Sequence, residues 1–189
     1  MSLNTTPSAE RTHIGIFGRR NAGKSSLINA LTGQSLAIVS DVKGTTTDPV
    51  LKAMELLPLG PVVMIDTPGI DDEGNLGSMR VQKAFQILNK TDLALLVIDS
   101  LSGPSHEDAV TLAHIQKKEI PFLVVLNKSD QIEDLDHAVQ KAADFLQISK
   151  EKLMTASASS GYHIQELKEA IAFLAPKEDD KAATSWRIW

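Results

Sequence analysis

The chain has 189 residues, 42% hydrophobic and 23% charged, with 11 glycines and 8 prolines; these proportions exclude collagen-like, coiled-coil and wholly disordered classes and fit one domain with its own core. Nineteen basic against 24 acidic side chains leave a net charge of −5, a poor match to a phosphate backbone, so nucleic acid is not an expected partner. Cysteine is absent, which removes disulfides, thiolate metal ligands and a cysteine nucleophile.

In chain order, residues 1–11 are polar, unlike a signal peptide, and read as a flexible segment. No apolar run along the chain approaches the ~20 residues of a membrane span, so no membrane contact and a cytoplasmic address are expected. His13–Phe17 reads as a compact buried strand and Lys24–Leu31 as a helix. Val50–Leu57 is half-polar and ends at Pro58-Leu59-Gly60-Pro61, a turn that leads into the apolar strand Val62–Ile65. That pair predicts a hairpin with one antiparallel edge strand. Met79–Leu88 follows as a helix, then strand Leu93–Ile98, helix Glu107–Lys118, strand Pro121–Leu126 and helix Asp134–Leu146. A short strand at Leu153–Ala156 and a helix at Ile164–Leu174, with Leu167, Ile171 and Leu174 at helical spacing, complete the series. Strands alternating with helices imply βαβ units. The expected fold is α/β, a mostly parallel six-stranded sheet with one antiparallel edge strand and helices on both faces. Residues 176–189 read as a flexible or truncated tail. The five histidines show no metal-ligand spacing and are expected in solvated or capping roles.

Gly18-Arg19-Arg20-Asn21-Ala22-Gly23-Lys24-Ser25 matches G-x-x-x-x-G-K-[ST] between a strand and a helix. Glycines let such a backbone curl so that its N–H groups face a polyphosphate at a helix N-terminus. Arg19, Arg20, Asn21, Ala22, Gly23, Lys24, Ser25 and Ser26 are the candidate phosphate-binding positions. Lys24 would reach the outer phosphates and Ser25 would offer a hydroxyl to Mg²⁺.

Asn127-Lys128-Ser129-Asp130 follows a strand at the carboxyl edge, where such sheets bind ligands. The Asp130 carboxylate can accept from the N1–H and exocyclic amine of guanine. Adenine lacks both donors and would leave the carboxylate desolvated and unpaired. Ser157, Ala158 and Ser159 after the last strand could present backbone N–H groups to the guanine carbonyl. Asp66-Thr67-Pro68-Gly69 closes another strand, placing Asp66 toward Mg²⁺ and the Gly69 N–H toward the γ-phosphate. In Gly44-Thr45-Thr46-Thr47-Asp48 a threonine, Thr46 before Thr45, could complete the magnesium shell. GTP or GDP with Mg²⁺ is the expected ligand.

The order of these segments resembles the translation-factor-type GTPases and, within them, the group of Era-like and tRNA-modifying enzymes, which implies a Ras-like P-loop GTPase fold over residues 12–175. The span His13–Asp72 is more similar still to the GTPase domain of HydF, the maturation factor of FeFe-hydrogenase. Thr45-Thr46-Thr47-Asp48-Pro49-Val50 and Lys52-Ala53-Met54-Glu55 carry that finer resemblance. It implies a GTP-driven switch in a metallocluster-assembly scaffold, self-association through the GTPase domain, and hydrogenase and its maturation proteins as partners. The alternative is a GTPase of RNA or ribosome maturation, as in the sister families. HydF carries an iron–sulfur cluster on a cysteine-bearing domain; none is expected in this chain.

Lys24 and Mg²⁺ would neutralise charge on the phosphoryl oxygens. Ile70 stands where Ras-like enzymes place a water-orienting glutamine, which leaves Asp71, Asp72 and Glu73 as candidates, Asp71 and Asp72 first, and predicts slow intrinsic turnover. Potassium-activated relatives hold K⁺ with an asparagine at the position of Asn21 and with loop carbonyls. By that resemblance the carbonyl oxygens of Asn21, Ser40 and Val42 would hold K⁺ beside the triphosphate.

Overall fold

The computed structural model describes residues 11–33, 50–66 and 85–177. Six strands form one sheet in the order β2-β3-β1-β4-β5-β6: β1 Thr12–Phe17, β2 Val50–Leu56, β3 Gly60–Asp66, β4 Leu93–Asp99, β5 Phe122–Asn127 and β6 Leu153–Thr155. All neighbours pair in parallel except β2 and β3, which run antiparallel from Val50 opposite Asp66 to Leu56 opposite Gly60. The half-polar segment therefore is the antiparallel edge strand. Four helices are α1 Lys24–Thr32, α2 His106–Lys117, α3 Leu135–Leu146 and α4 Ile164–Leu174, with a further helical segment at 85–89.

The alternation of side chains along a strand sorts the core into two layers. Leu93, Leu95 and Val97 of β4 join Ile14, Ile16, Met64, Leu123 and Val125 on one face, under Leu27, Ile28 and Leu31 of α1 and Leu167 and Ile171 of α4. Ala94, Leu96 and Ile98 point the other way. They join Phe17, Ile65, Val124 and Leu126 beneath Ile87 and Leu88, Leu112 and Ile115 of α2, and Ala142, Ala143 and Leu146 of α3. Strands buried on both faces explain the near-continuous apolar runs in the sequence. No described helix is long and apolar enough to cross a membrane.

The ladder carries β3, β4 and β5 one residue past the last apolar side chain, to Asp66, Asp99 and Asn127. Ile16 faces Asp66 and Asp99 faces Asn127 in register. Backbone pairing fixes these polar residues at the rim of the sheet, with their side chains toward the loops.

Candidate functional site

The described loops after β1, β4, β5 and β6 leave one edge of the sheet, the edge at which β3 also ends at Asp66, and carry the candidate residues. After Phe17 the backbone passes through Gly18 at φ 140°, where an added Cβ would lie 2.2 Å from the Val97 carbonyl oxygen. Arg20–Ala22 then forms a 3₁₀ turn, closed by the Ala22 N–H donating to the Arg19 carbonyl at 3.1 Å. Gly23, at φ 89°, would bring a Cβ to 2.4 Å from Asn127 Nδ2. At both positions only glycine lets the loop lie against β4 and β5. α1 starts at Lys24 without a side-chain cap, and a helix N-terminus directs its backbone N–H groups and positive dipole end to where an anion can bind.

Lys24 is buried at 7% exposure. Its ammonium donates to the Gly18 carbonyl and to the Arg19 carbonyl at 3.3 Å, which holds it across the mouth of the loop. The Ser25 hydroxyl lies 3.5 Å from Asp66 Oδ2, and Asp66 is itself buried. A hydroxyl and a carboxylate side by side at the start of a helix are hard oxygen donors of the kind Mg²⁺ takes.

Asn127, 2% exposed, joins two loops. Its Nδ2 donates to the Ala22 carbonyl at 2.9 Å, and its Oδ1 accepts from the Ala158 N–H at 3.1 Å. Lys128 adopts a left-handed backbone, φ 62°, and donates from Nζ to the main-chain carbonyl of Asn21 at 2.7 Å and to Asp99 Oδ2 at 2.9 Å. Burial alone would push the Asp99 carboxyl up. The Lys128 hydrogen bond, the Leu101 N–H at 2.8 Å and the lysine charge prevail and hold it below the usual carboxylate range. Buried Ser129 anchors the turn to β6, its hydroxyl and N–H donating to the Ala156 carbonyl at 2.6 and 3.1 Å. That leaves Asp130 on an exposed 3₁₀ turn. Among the described residues its carboxylate has no partner. Ser157 is fully buried; its hydroxyl lies 3.2 Å from the Ser159 hydroxyl and accepts the Ser160 N–H at 3.2 Å, shaping the loop that presents Ala158.

The structure thus brings together Arg19 to Ser26, Asp66, Asn127, Lys128, Asp130 and Ser157 to Ser159. Ser40, Val42, Thr45, Thr46, Gly69, Asp71, Asp72 and Glu73 lie outside the described residues. Two details add to the expectations. The Arg19 side chain turns away from the cradle, donating from Nη2 to Ser102 Oγ at 3.1 Å and the Gly103 carbonyl at 2.9 Å, so its backbone alone lines the loop. The main-chain carbonyl of Asn21 accepts the Lys128 ammonium, and the Asn21 side chain is exposed. Asp99 escaped the sequence reading. Its signal was a carboxylate ending an otherwise apolar strand.

The sequence profile of the family described as 50S ribosome-binding GTPase matches residues 13–128. The chain is 38% identical over 179 residues to GTPase Der of Wolinella succinogenes, covering 89% of this chain and 36% of that protein. It is 34% identical over 167 residues to the tRNA modification GTPase MnmE of Helicobacter acinonychis, covering 88% and 36%. It therefore spans just over a third of the length of these relatives. Among solved structures, Era of Aquifex aeolicus bound to GDP and AlF4⁻ superposes with a TM-score of 0.70 at 28% identity, covering 87% of this chain and 57% of that one. Era in complex with MgGDPNP and a fragment of 16S ribosomal RNA gives 0.69 at 29% identity, covering 88% and 57%.

Proposed function

We propose that this chain, which belongs to the family of 50S ribosome-binding GTPases, is a GTP-hydrolysing switch of the Era, Der and MnmE type that acts in RNA or ribosome maturation, with residues 12–175 as its GTPase domain. One observation carries the nucleotide assignment. Asn127 ties the phosphate loop to the Ser157–Ser159 loop, and the Asp130 carboxylate stands exposed beside that junction with no described partner. Such an arrangement suits two donors on one edge of a base, as guanine supplies.

In this reading the N–H groups from Arg20 to Ser26 cradle the phosphates. Lys24, held at the loop mouth by two carbonyls, neutralises charge as the β–γ bond breaks. Ser25 and Asp66 fit Mg²⁺, which when bound would supply a second positive charge there. Thr46 completes the shell, Gly69 contacts the γ-phosphate, and Asp71 or Asp72 orients water. An Asn21 side-chain oxygen, with Ser40 and Val42 carbonyls, holds K⁺.

RNA as the partner class rests on the relatives: one is a tRNA modification GTPase and another was solved with ribosomal RNA. This departs from the expectation set by the acidic composition, because a local basic surface can act despite net charge. A second reading, a HydF-like switch that self-associates and serves hydrogenase maturation, is favoured by Thr45–Val50 and Lys52–Glu55. Retention of a 16S ribosomal RNA fragment with a GTP analogue but not with GDP supports the first reading. No RNA binding in either state, with binding to hydrogenase maturation proteins instead, selects the second. Base choice is tested by competition: Asp130→Asn should lose GTP affinity and gain xanthosine triphosphate, because xanthine presents a carbonyl where guanine has its amine. Equal GTP and ATP affinity in the parent chain sinks the guanine assignment.

A further inference from the structure

We propose that Arg19 is a positioning residue whose guanidinium clamps the first turn of the phosphate loop onto the loop between β4 and α2, and thereby fixes one of the two carbonyls that hold Lys24. The inference rests on the guanine-nucleotide reading above and adds a residue to it.

The side chain reaches across 83 residues of sequence to Ser102 Oγ and one further to the Gly103 carbonyl, at 3.1 and 2.9 Å from the same Nη2. Its Nε lies 3.7 Å from Asp108 Oδ2. Asp108 is 2% exposed and sits in the capping box of α2, where its carboxylate accepts the Ser105 N–H at 2.8 Å and the Ser105 hydroxyl at 3.0 Å. A buried carboxylate with neutral donors alone would be costly; the guanidinium supplies the opposing charge. Three contacts from one planar fork fix its direction as well as its position.

The backbone of the same residue faces the cradle. The Arg19 carbonyl accepts the Ala22 N–H, closing the 3₁₀ turn, and the Lys24 ammonium. The tether and the Lys24 acceptor therefore belong to one residue, so releasing the tether loosens the turn that presents the acceptor. Gly18, held against Val97, anchors the turn from one side and Arg19 from the other. The clamp also gives α2 a mechanical link to the phosphate loop, since the carboxylate that caps the helix is the one that pairs with the clamp.

The test compares Arg19→Ala, Arg19→Lys and Asp108→Asn, the last keeping an oxygen for Ser105 while removing the charge. Release of a fluorescent GDP analogue, KM and kcat for GTP, the unfolding midpoint without nucleotide, and amide exchange at residues 19–25 are measured for each. Arg19→Ala should speed GDP release and raise KM by about tenfold, as expected when a charge-assisted hydrogen bond of the loop is lost. Arg19→Lys, a point charge without the fork, should recover only part of this, and Asp108→Asn should move in the same direction. Exchange at 19–25 should quicken in nucleotide-free Arg19→Ala. A lower unfolding midpoint with unchanged GDP release and unchanged exchange at 19–25 would make the contact a structural tie only and overturn the proposal. Full recovery in Arg19→Lys would overturn the role of the fork. A parent chain that binds no GDP would instead defeat the nucleotide reading, and the exchange measurement would still decide the clamp.

Discussion

Removing the Asn127 side chain perturbs the point at which two loops meet. Asn127→Ala deletes the donor to Ala22 O at 2.9 Å and the acceptor for Ala158 N–H at 3.1 Å. Ala22 is 3% exposed, so water replaces the lost donor poorly and an unsatisfied buried carbonyl costs about 1–3 kcal/mol. Ala158 is half-buried, and its N–H can be hydrated in part, so that loss is about 0.5–1.5 kcal/mol. Together the change should destabilise the nucleotide-free chain by roughly 2–4 kcal/mol, or about 5–15 °C in Tm for a domain of this size. Asn127→Asp separates the two bonds. It keeps an oxygen for Ala158 but sets a buried carboxylate against the Ala22 oxygen, which raises its folded-state pKa. A raised carboxyl costs nothing below the unfolded pKa of about 4, where it is protonated in both states, and costs progressively more as pH rises above it. Asn127→Asp should therefore approach the parent in acid and fall further below it toward neutrality. Urea or thermal unfolding, each variant referred to the parent at the same pH, is the assay. An Asn127→Ala midpoint within 2 °C of the parent, about 0.5–1 kcal/mol for a domain of this size, would refute the bridging role. So would an Asn127→Asp deficit that does not change with pH.

Two further outcomes follow from the same loops. The Asp99 carboxyl lies below its usual range in the folded chain, so its pairing stabilises the fold above the unfolded pKa and is lost as pH falls through the folded value. Asp99→Asn should lower stability at neutral pH and flatten the acid limb of the unfolding profile, and an unchanged acid limb would count against the Lys128–Asp99 pair. For the cation, if Asn21 holds K⁺ as proposed, GTP hydrolysis should run several-fold faster in K⁺ than in Na⁺ at matched ionic strength, and Asn21→Ala should lose the difference. Equal rates in the two salts with Mg²⁺ saturating would leave Asn21 a loop residue only.

The sequence makes the sheet legible because its central strands are buried on both faces and so appear as unbroken runs of Val, Ile and Leu. Those runs end one residue early at Asp66, Asp99 and Asn127, because hydrophobicity stops there while backbone pairing continues. The phosphate loop is local: two glycines, a lysine and a serine within eight residues announce it. The contacts that hold it in place are not. Asn127 to Ala22 spans 105 positions, Lys128 to Asn21 107 and Arg19 to Ser102 83. No periodicity or spacing in a single sequence encodes which arginine will turn from phosphate toward a capping carboxylate. Asp130 was readable because Asn127-Lys128-Ser129-Asp130 stands at the carboxyl end of a strand; that Lys128 and Ser129 bind inward while Asp130 stays exposed was not.

The strand order also has a consequence for how the molecule is made. On a ribosome, β1 emerges before β3 and β4, which flank it, so the curve of the loop after β1 can form against Val97 once β4 has followed. Its fastening to Asn127 must wait for β5, and the far side of that fastening, Ala158, arrives only after β6 has joined the sheet. On the proposed guanine-nucleotide reading, a nascent chain would therefore gain its contacts for phosphate well before those for the base, and would select one nucleotide only once β6 has docked.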